Sequence, residues 1–223
     1  SDIYEASITK QKLELENKQS RINALQSQIN PHFLFNTFES IRVRSLLKGE
    51  IETAQVIENL ALTFRRMISW NKDMIDIKEE IEYIKAFLEI QQYRFNNIEY
   101  FINIDESCLN YKLPKMILQP LVENSIEHGV GKKKGIGTIN ISINRNDDRI
   151  IFRICDNGIG MNQDELQRIL LSLEKAEQNS DNIGIKNVYL RLKLMFREEM
   201  SFNIESIVNS GTKILFSIPI IEI

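Results

Sequence analysis

The chain has 223 residues, 43% hydrophobic and 26% charged, the balance of a soluble globular protein long enough for about two small domains. A net charge of −3 gives no reason to expect nucleic acid as a partner, and no stretch approaches the roughly 20 apolar residues of a membrane span. Cys108 and Cys155 lack metal-ligand spacing and sit in apolar contexts, which suits a reducing cytosol. With Ser1 in place of Met and no signal peptide, the expectation is an excised fragment.

From the start of the chain, Ile8, Leu15, Ile22 and Ile29 recur every seven residues, a heptad that favours a short left-handed coiled coil. Polar residues at its other seam positions, Gln11 and Lys18, make that pairing weak alone. Residues 28–38 then read QINPHFLFNTF. At about 100° per residue from His32, Leu34, Phe38 and Ile41 cluster near about 200°. His32, Asn36, Glu39 and Ser40 share the opposite, polar face. Upstream, Ile22, Leu25 and Ile29 form a stripe near about 55°. The apolar stripe therefore changes face by roughly 150° at Asn30-Pro31, which one straight helix cannot serve. Pro31 supplies the break, lacking an N–H and clashing with the Ser27 carbonyl. Gly49 marks a turn, and a second helix carries Val56, Leu60, Phe64 and Met67 on one stripe. Two such helices cannot bury both apolar faces within one chain, so a dimeric four-helix bundle is expected.

A helix from about Lys78 to Phe95 leads to a strand at Tyr100 to Ile104, and after Pro114 a helix runs to about Gly129. Strands follow near Thr138 to Asn144 and Arg149 to Cys155. A helix near Ile183 to Phe196 and strands near Ser201 to Ile207 and Thr212 to Ile218 complete the order. This is an α+β class, with helices packed on one face of a mostly antiparallel sheet.

Four short elements in the back half carry candidate chemistry. In LQPLVENSIEHG, Leu118 to Gly129, Glu123, Asn124, Glu127 and His128 fall on one helical face, able to gather a divalent cation and phosphate oxygens. DNGIG, Asp156 to Gly160, ends a strand with glycines that let a loop pass close to a flat ligand. NIGIKN, Asn182 to Asn187, opens a helix whose free N–H groups can hold phosphates. In SGTKILFSIP, Gly211 and Thr212 open the last strand.

Together with the histidine helix ahead of them, these elements resemble the LytS/YesM-type sensor histidine kinases from about Gln28 to Pro219. The resemblance rests on NPHFLFNTF, LEIQQYRF (Leu88 to Phe95), LQPLVENSIEHG, DNGIGM and GTKILFSIP in that order. It implies a signalling coiled coil over 1–27, dimerisation and histidine-phosphotransfer helices with a connector over 28–95, and an ATP-binding domain over 96–223. That last domain would be an α/β sandwich of the gyrase, Hsp90 and histidine kinase type. The resemblance makes His32 the phosphoacceptor, with Asn36 one turn behind it. It makes Asn124 a ligand of Mg2+, with Glu123 beside it, and Asp156 the partner of the adenine amino group of ATP. Gly158, Gly160 and Gly184 match the glycine boxes, Asn182, Gly211, Thr212 and His128 complete the nucleotide site, and the stretch between Met161 and Ile183 would be a lid.

The implied partners are a second copy of the chain and the receiver domain of a response regulator, with no nucleic acid. A membrane would enter only through an N-terminal region of the bacterial sensor that this fragment lacks. Three positions depart from the wider pattern. Phe33 stands where many kinases place a proton-accepting acid, Pro120 replaces a helix asparagine, and Asn182 replaces the first glycine of its loop.

Other readings stand beside these. His128 could simply cap its helix, Lys132, Lys133 and Lys134 could be a solvated loop, and Arg65 a surface ion pair. Phe33 could dock a partner or pack on the neighbouring helix, and Glu123 could be a structural partner of a lysine. A nucleotide-driven clamp ATPase, or a dimeric scaffold with a degenerate ATP site, are the functional alternatives.

Overall fold

The computed structural model describes residues 31–68, 73–174 and 183–220. The heptad, the stripe change before Pro31 and Asn182 lie outside these residues. The chain forms two compact units, divided between Ala61 and Leu62.

The two expected helices are α1 (Pro31–Leu47), in the first unit, and α2 (Ile51–Ile68), which begins there and runs across the division. Gly49 makes the turn between them at φ +78°, a left-handed conformation that costs glycine nothing. Its N–H reaches the Leu46 carbonyl at 3.0 Å, and that of Glu50 reaches Ser45 at 2.9 Å, closing the end of α1. His32, Asn36, Glu39 and Ser40 are exposed, as the polar face requires, while Leu34 and Phe38 are half-buried. Only Ser45 is buried along α1. Phe33 is 64% exposed, Leu47 83% and Ile51 72%.

The second unit is built on a five-stranded sheet in the order β2-β4-β5-β7-β6. The strands are β2 (Ile98–Ile104), β4 (Gly137–Asn146), β5 (Arg149–Asp156), β6 (Ser201–Ile207) and β7 (Gly211–Pro219). β2 pairs parallel with β4, and the other pairs are antiparallel. The alternation explains the layering. Ile102, Ile141, Ile154, Ile214 and Ile204 are successive partners across the sheet, and the next row is Ile104, Ile143, Phe152, Phe216 and Phe202. Between these rows lie Asn103, Ser142, Arg153, Leu215 and Asn203, so one face is apolar and the other mostly polar. Phe152 and Phe216 stack with centroids 4.5 Å apart at the centre of the apolar face.

The helices α3 (Ile77–Arg94), α4 (Leu118–Asn124), α5 (Gln163–Glu174) and α6 (Ile183–Phe196) belong to this unit. They contribute Ile81, Ile84, Leu88, Leu121, Val122, Ile169 and Leu192, among others, to one continuous core. α4 ends in a single π turn, Ser125–Gly129.

Three features add to the sequence reading. The first part of the stretch expected as a lid forms α5, whose Leu166, Ile169 and Leu173 are buried in the core, while 175–182 lie outside the described residues. α3, the connector by resemblance, places Ile77, Ile81, Ile84 and Leu88 in the core of the second unit. A small antiparallel pair, β1 (Met74–Asp76) with β3 (Lys112–Pro114), joins segments far apart in sequence.

Candidate functional site

Asp156 closes β5, opposite Ile139, and is only 8% exposed. Its Oδ1 accepts the Gly158 N–H at 2.8 Å and the Thr212 N–H at 3.3 Å. Burial pushes its carboxyl above the ordinary aspartate range, although these two N–H groups, the Ser125 hydroxyl and the Lys133 charge pull the other way. An ionised carboxylate offers about four acceptor positions, so Asp156 retains capacity for a further N–H donor. A buried acceptor with capacity to spare fits an exocyclic amino group.

The surrounding loops are held close by glycines. Gly211 has φ +103°, and a side chain there would strike the Asp156 carbonyl; one at Gly158 would strike the backbone of Gly129. Gly129 itself lies against the carboxylate, where a Cβ would stand 2.8 Å from Oδ1. Gly160 packs on the Ile207 carbonyl in the same manner. The protein's own backbone therefore accounts for glycine at 158, 160 and 211. Gly184, in the first turn of α6, is different, because a Cβ there would make only ordinary contact with Pro120. The protein's own packing does not require glycine at this position.

Further polar contacts lock this frame. Asn157 and Thr138 exchange hydrogen bonds, with N–H of Thr138 to Oδ1 at 2.8 Å and N–H of Asn157 to the Thr138 carbonyl at 3.1 Å. Lys133 donates to the Asn157 carbonyl at 2.8 Å, so this lysine fastens the DNGIG loop. The Thr212 hydroxyl shares a hydrogen bond with Ser206 at 2.9 Å, and Ser206 accepts the Met161 N–H at 2.9 Å. Gly129, Asn157, Thr138 and Ser206 were not singled out from sequence. Gly129 and Asn157 carry a local signal, as the glycine closing LQPLVENSIEHG and the second residue of DNGIG.

Asn124 is the last residue of α4, half-buried, and its side chain makes no hydrogen bond among the described residues. Glu123 has different company. It accepts the Gln119 amide at 2.7 Å and lines a cleft with Gln91, Arg94, Phe95 and Glu127. Glu127 and His128 are exposed on the π turn. Among the described residues, no three His, Cys, Asp or Glu side chains could together hold a metal ion.

On α1, the Asn36 amide nitrogen stands 3.3 Å from His32 Nδ1 and 3.4 Å from Nε2. In either neutral tautomer one ring nitrogen keeps a lone pair that can accept from this amide. Glu39 is gripped by Arg42 at 2.6 and 2.9 Å, and this hydrogen bonding lowers its pKa. A carboxylate so held is a poor proton acceptor.

Two family models match the chain. Histidine kinase covers residues 20–98, and Histidine kinase-, DNA gyrase B-, and HSP90-like ATPase covers residues 110–222. Similar curated proteins include sensor histidine kinase YpdA of Escherichia coli (37% identical, 96% of this chain, 37% of that protein). YesM of Bacillus subtilis is 31% identical over 98% of this chain and 36% of its own length. The sensor protein LytS of Oceanobacillus iheyensis is 33% identical over 91% of this chain and 35% of its own length. The chain thus spans little more than a third of these relatives. Two solved structures share the fold at 14% identity. One is full-length ShkA in complex with AMPPNP (TM-score 0.51, 87% of this chain, 47% of that one). The other is the catalytic domain of histidine kinase ThkA (TM-score 0.50, 66% and 94%).

Proposed function

The chain belongs to the histidine kinases, its C-terminal half to their gyrase- and HSP90-like ATPase family, and on that premise we propose that it phosphorylates its own His32 from ATP. The observation that carries this reading is Asp156, a buried carboxylate whose Oδ1 is fixed by two backbone N–H groups and which has acceptor capacity left for an adenine amino group.

Gly184 and the start of α6 take the phosphates, where helix N–H groups point at negative charge. Asn124 is the side chain available to Mg2+, which when bound neutralises phosphate charge. A His32 ring nitrogen attacks the γ-phosphorus in line, the N–P bond forms, and the bond to the β-phosphate oxygen breaks to release ADP. Asn36 orients the imidazole for this step. The phosphohistidine then donates to an aspartate of a response regulator's receiver domain.

The exposed apolar residues of the hairpin, Phe33, Ile41, Leu47 and Ile51, are covered by a second copy in the dimer. Among the described residues, no helix is long and apolar enough to cross a membrane. On this reading the chain works on the cytoplasmic side of a membrane-associated sensor. Incubation with γ-labelled ATP gives an acid-labile, base-stable label on the protein. Phosphate release without label would instead identify a clamp ATPase, and neither would identify a scaffold.

A further inference from the structure

Glu80, near the start of α3, is fully buried, with 0% exposure. A carboxylate removed from water must be hydrogen-bonded, and two backbone N–H groups are among its partners here. Oε1 accepts the Leu118 N–H at 3.0 Å and Oε2 the Met116 N–H at 3.3 Å. Leu118 is the first residue of α4, and Met116 sits in the turn before it at φ +60°, a conformation a non-glycine residue keeps only when its surroundings impose it.

The same turn is fastened from two other directions. The Lys115 N–H reaches the Asp73 carbonyl at 3.0 Å, and the Lys115 carbonyl accepts from Arg191 of α6. Three separate segments therefore hold residues 115–118. From that turn, α4 runs only seven residues to Asn124, a rod of about 10 Å whose Leu118, Leu121 and Val122 are locked in the core. A shift of the turn cannot be absorbed along so short and packed a helix.

We propose that Glu80 is a positioning residue for metal-nucleotide binding. Through the turn at Met116 it sets where Asn124 stands, and Arg191 ties that turn to α6, the helix whose first turn carries Gly184. This inference rests on the reading of Asn124 as the side chain available to Mg2+. A merely structural Glu80 would change stability and leave metal preference alone.

The test compares ATP affinity in the presence of MgCl2 and of EDTA, by calorimetry on this chain. Glu80→Gln keeps one acceptor but turns an amide N–H toward a backbone donor. It should cut the affinity gained from Mg2+ by about tenfold, as loss of a group supporting a metal ligand does. Affinity in EDTA should stay at the wild-type value, because Asp156 is untouched. A folded Glu80→Gln with the full Mg2+ gain overturns the proposal. Should that variant not fold, Arg191→Gln, which loosens the same turn from α6, decides in its place. It should show a smaller loss in the same direction, and an unchanged gain overturns the proposal equally. Asn124→Ala run alongside separates the two levels. An unchanged gain there sinks the metal assignment itself, whereas a loss there without one in the Glu80 and Arg191 variants sinks only the positioning role.

Discussion

The hairpin and the sheet unit use apolar residues in opposite ways. Along α1, only Ser45 is buried, while Leu47 and Phe33 face outward. In the sheet unit, Phe152, Phe216, Ile84, Leu88 and Leu121 have no exposed surface at all. One region closes its own core within the chain, whereas the other leaves large apolar side chains exposed. On the proposed reading, the nucleotide frame is locked by the chain itself, and the histidine is carried on helices that a second copy covers.

The sharpest break in this comparison is a matched pair of truncations. Phe152→Ala should cost the sheet unit about 3–5 kcal/mol in denaturant unfolding, the range for a buried aromatic. Leu47→Ala should shift monomer stability by no more than about 0.5 kcal/mol, yet raise the dimer dissociation constant in sedimentation. Equal losses from both would mean that the hairpin is self-sufficient. Next in size is Gly211→Ala, which forces a left-handed conformation on alanine and drives its Cβ into the Asp156 carbonyl. It should cost roughly 1–3 kcal/mol and weaken ATP binding together, as strain at a functional loop does. Unfolding and ATP titrations of one preparation check both.

Asp156 sharpens the comparison from the electrostatic side. Because burial raises its folded pKa, its contribution to stability is present below the unfolded value and is lost as pH rises through the folded one. ATP recognition runs the opposite way, since the ionised carboxylate accepts the amino proton more strongly than the protonated acid does. Affinity should therefore fall on acidification, starting above the ordinary aspartate range. Asp156→Asn should abolish that pH dependence and lower ATP affinity roughly 10- to 100-fold, the worth of a hydrogen bond to a charged group. Unchanged affinity would place the adenine elsewhere.

The smallest effect concerns Asn36. With its amide within 3.4 Å of both ring nitrogens, Asn36→Ala should lower autophosphorylation by a factor of a few, along with hydrolysis of the regulator's acyl phosphate. A loss confined to the hydrolysis would instead assign Asn36 to positioning a water. Both rates can be read from one variant.

How much of this was legible in the sequence depends on whether the cause was local. Period-2 and period-3.6 patterns located α6 and β6 to the residue and β2, β4, β5 and β7 to within a few, because each has one apolar face. α5 was legible within the stretch expected as a lid. Asn162 and Glu165 form a reciprocal cap, at 2.9 and 3.1 Å, and NQDE is its sequence signature. The β1–β3 pair and the parallel β2–β4 contact have no local signal, since three-residue strands show no period and pairing is set by the tertiary fold. In the site, Asp156 and Gly184 were visible through their motifs. Gly129, Ser206 and Glu80 act on residues distant in sequence, so only the folded chain brings them to their partners.

The most direct measurement is the location of the label. After reaction with γ-labelled ATP, the acid-labile phosphate should map by peptide analysis to the segment containing His32. His32→Gln should lose it entirely while keeping wild-type unfolding and ATP affinity, since His32 is exposed. Label at the wild-type level in His32→Gln, or mapped to another residue, would contradict the assignment of His32 as the phosphoacceptor.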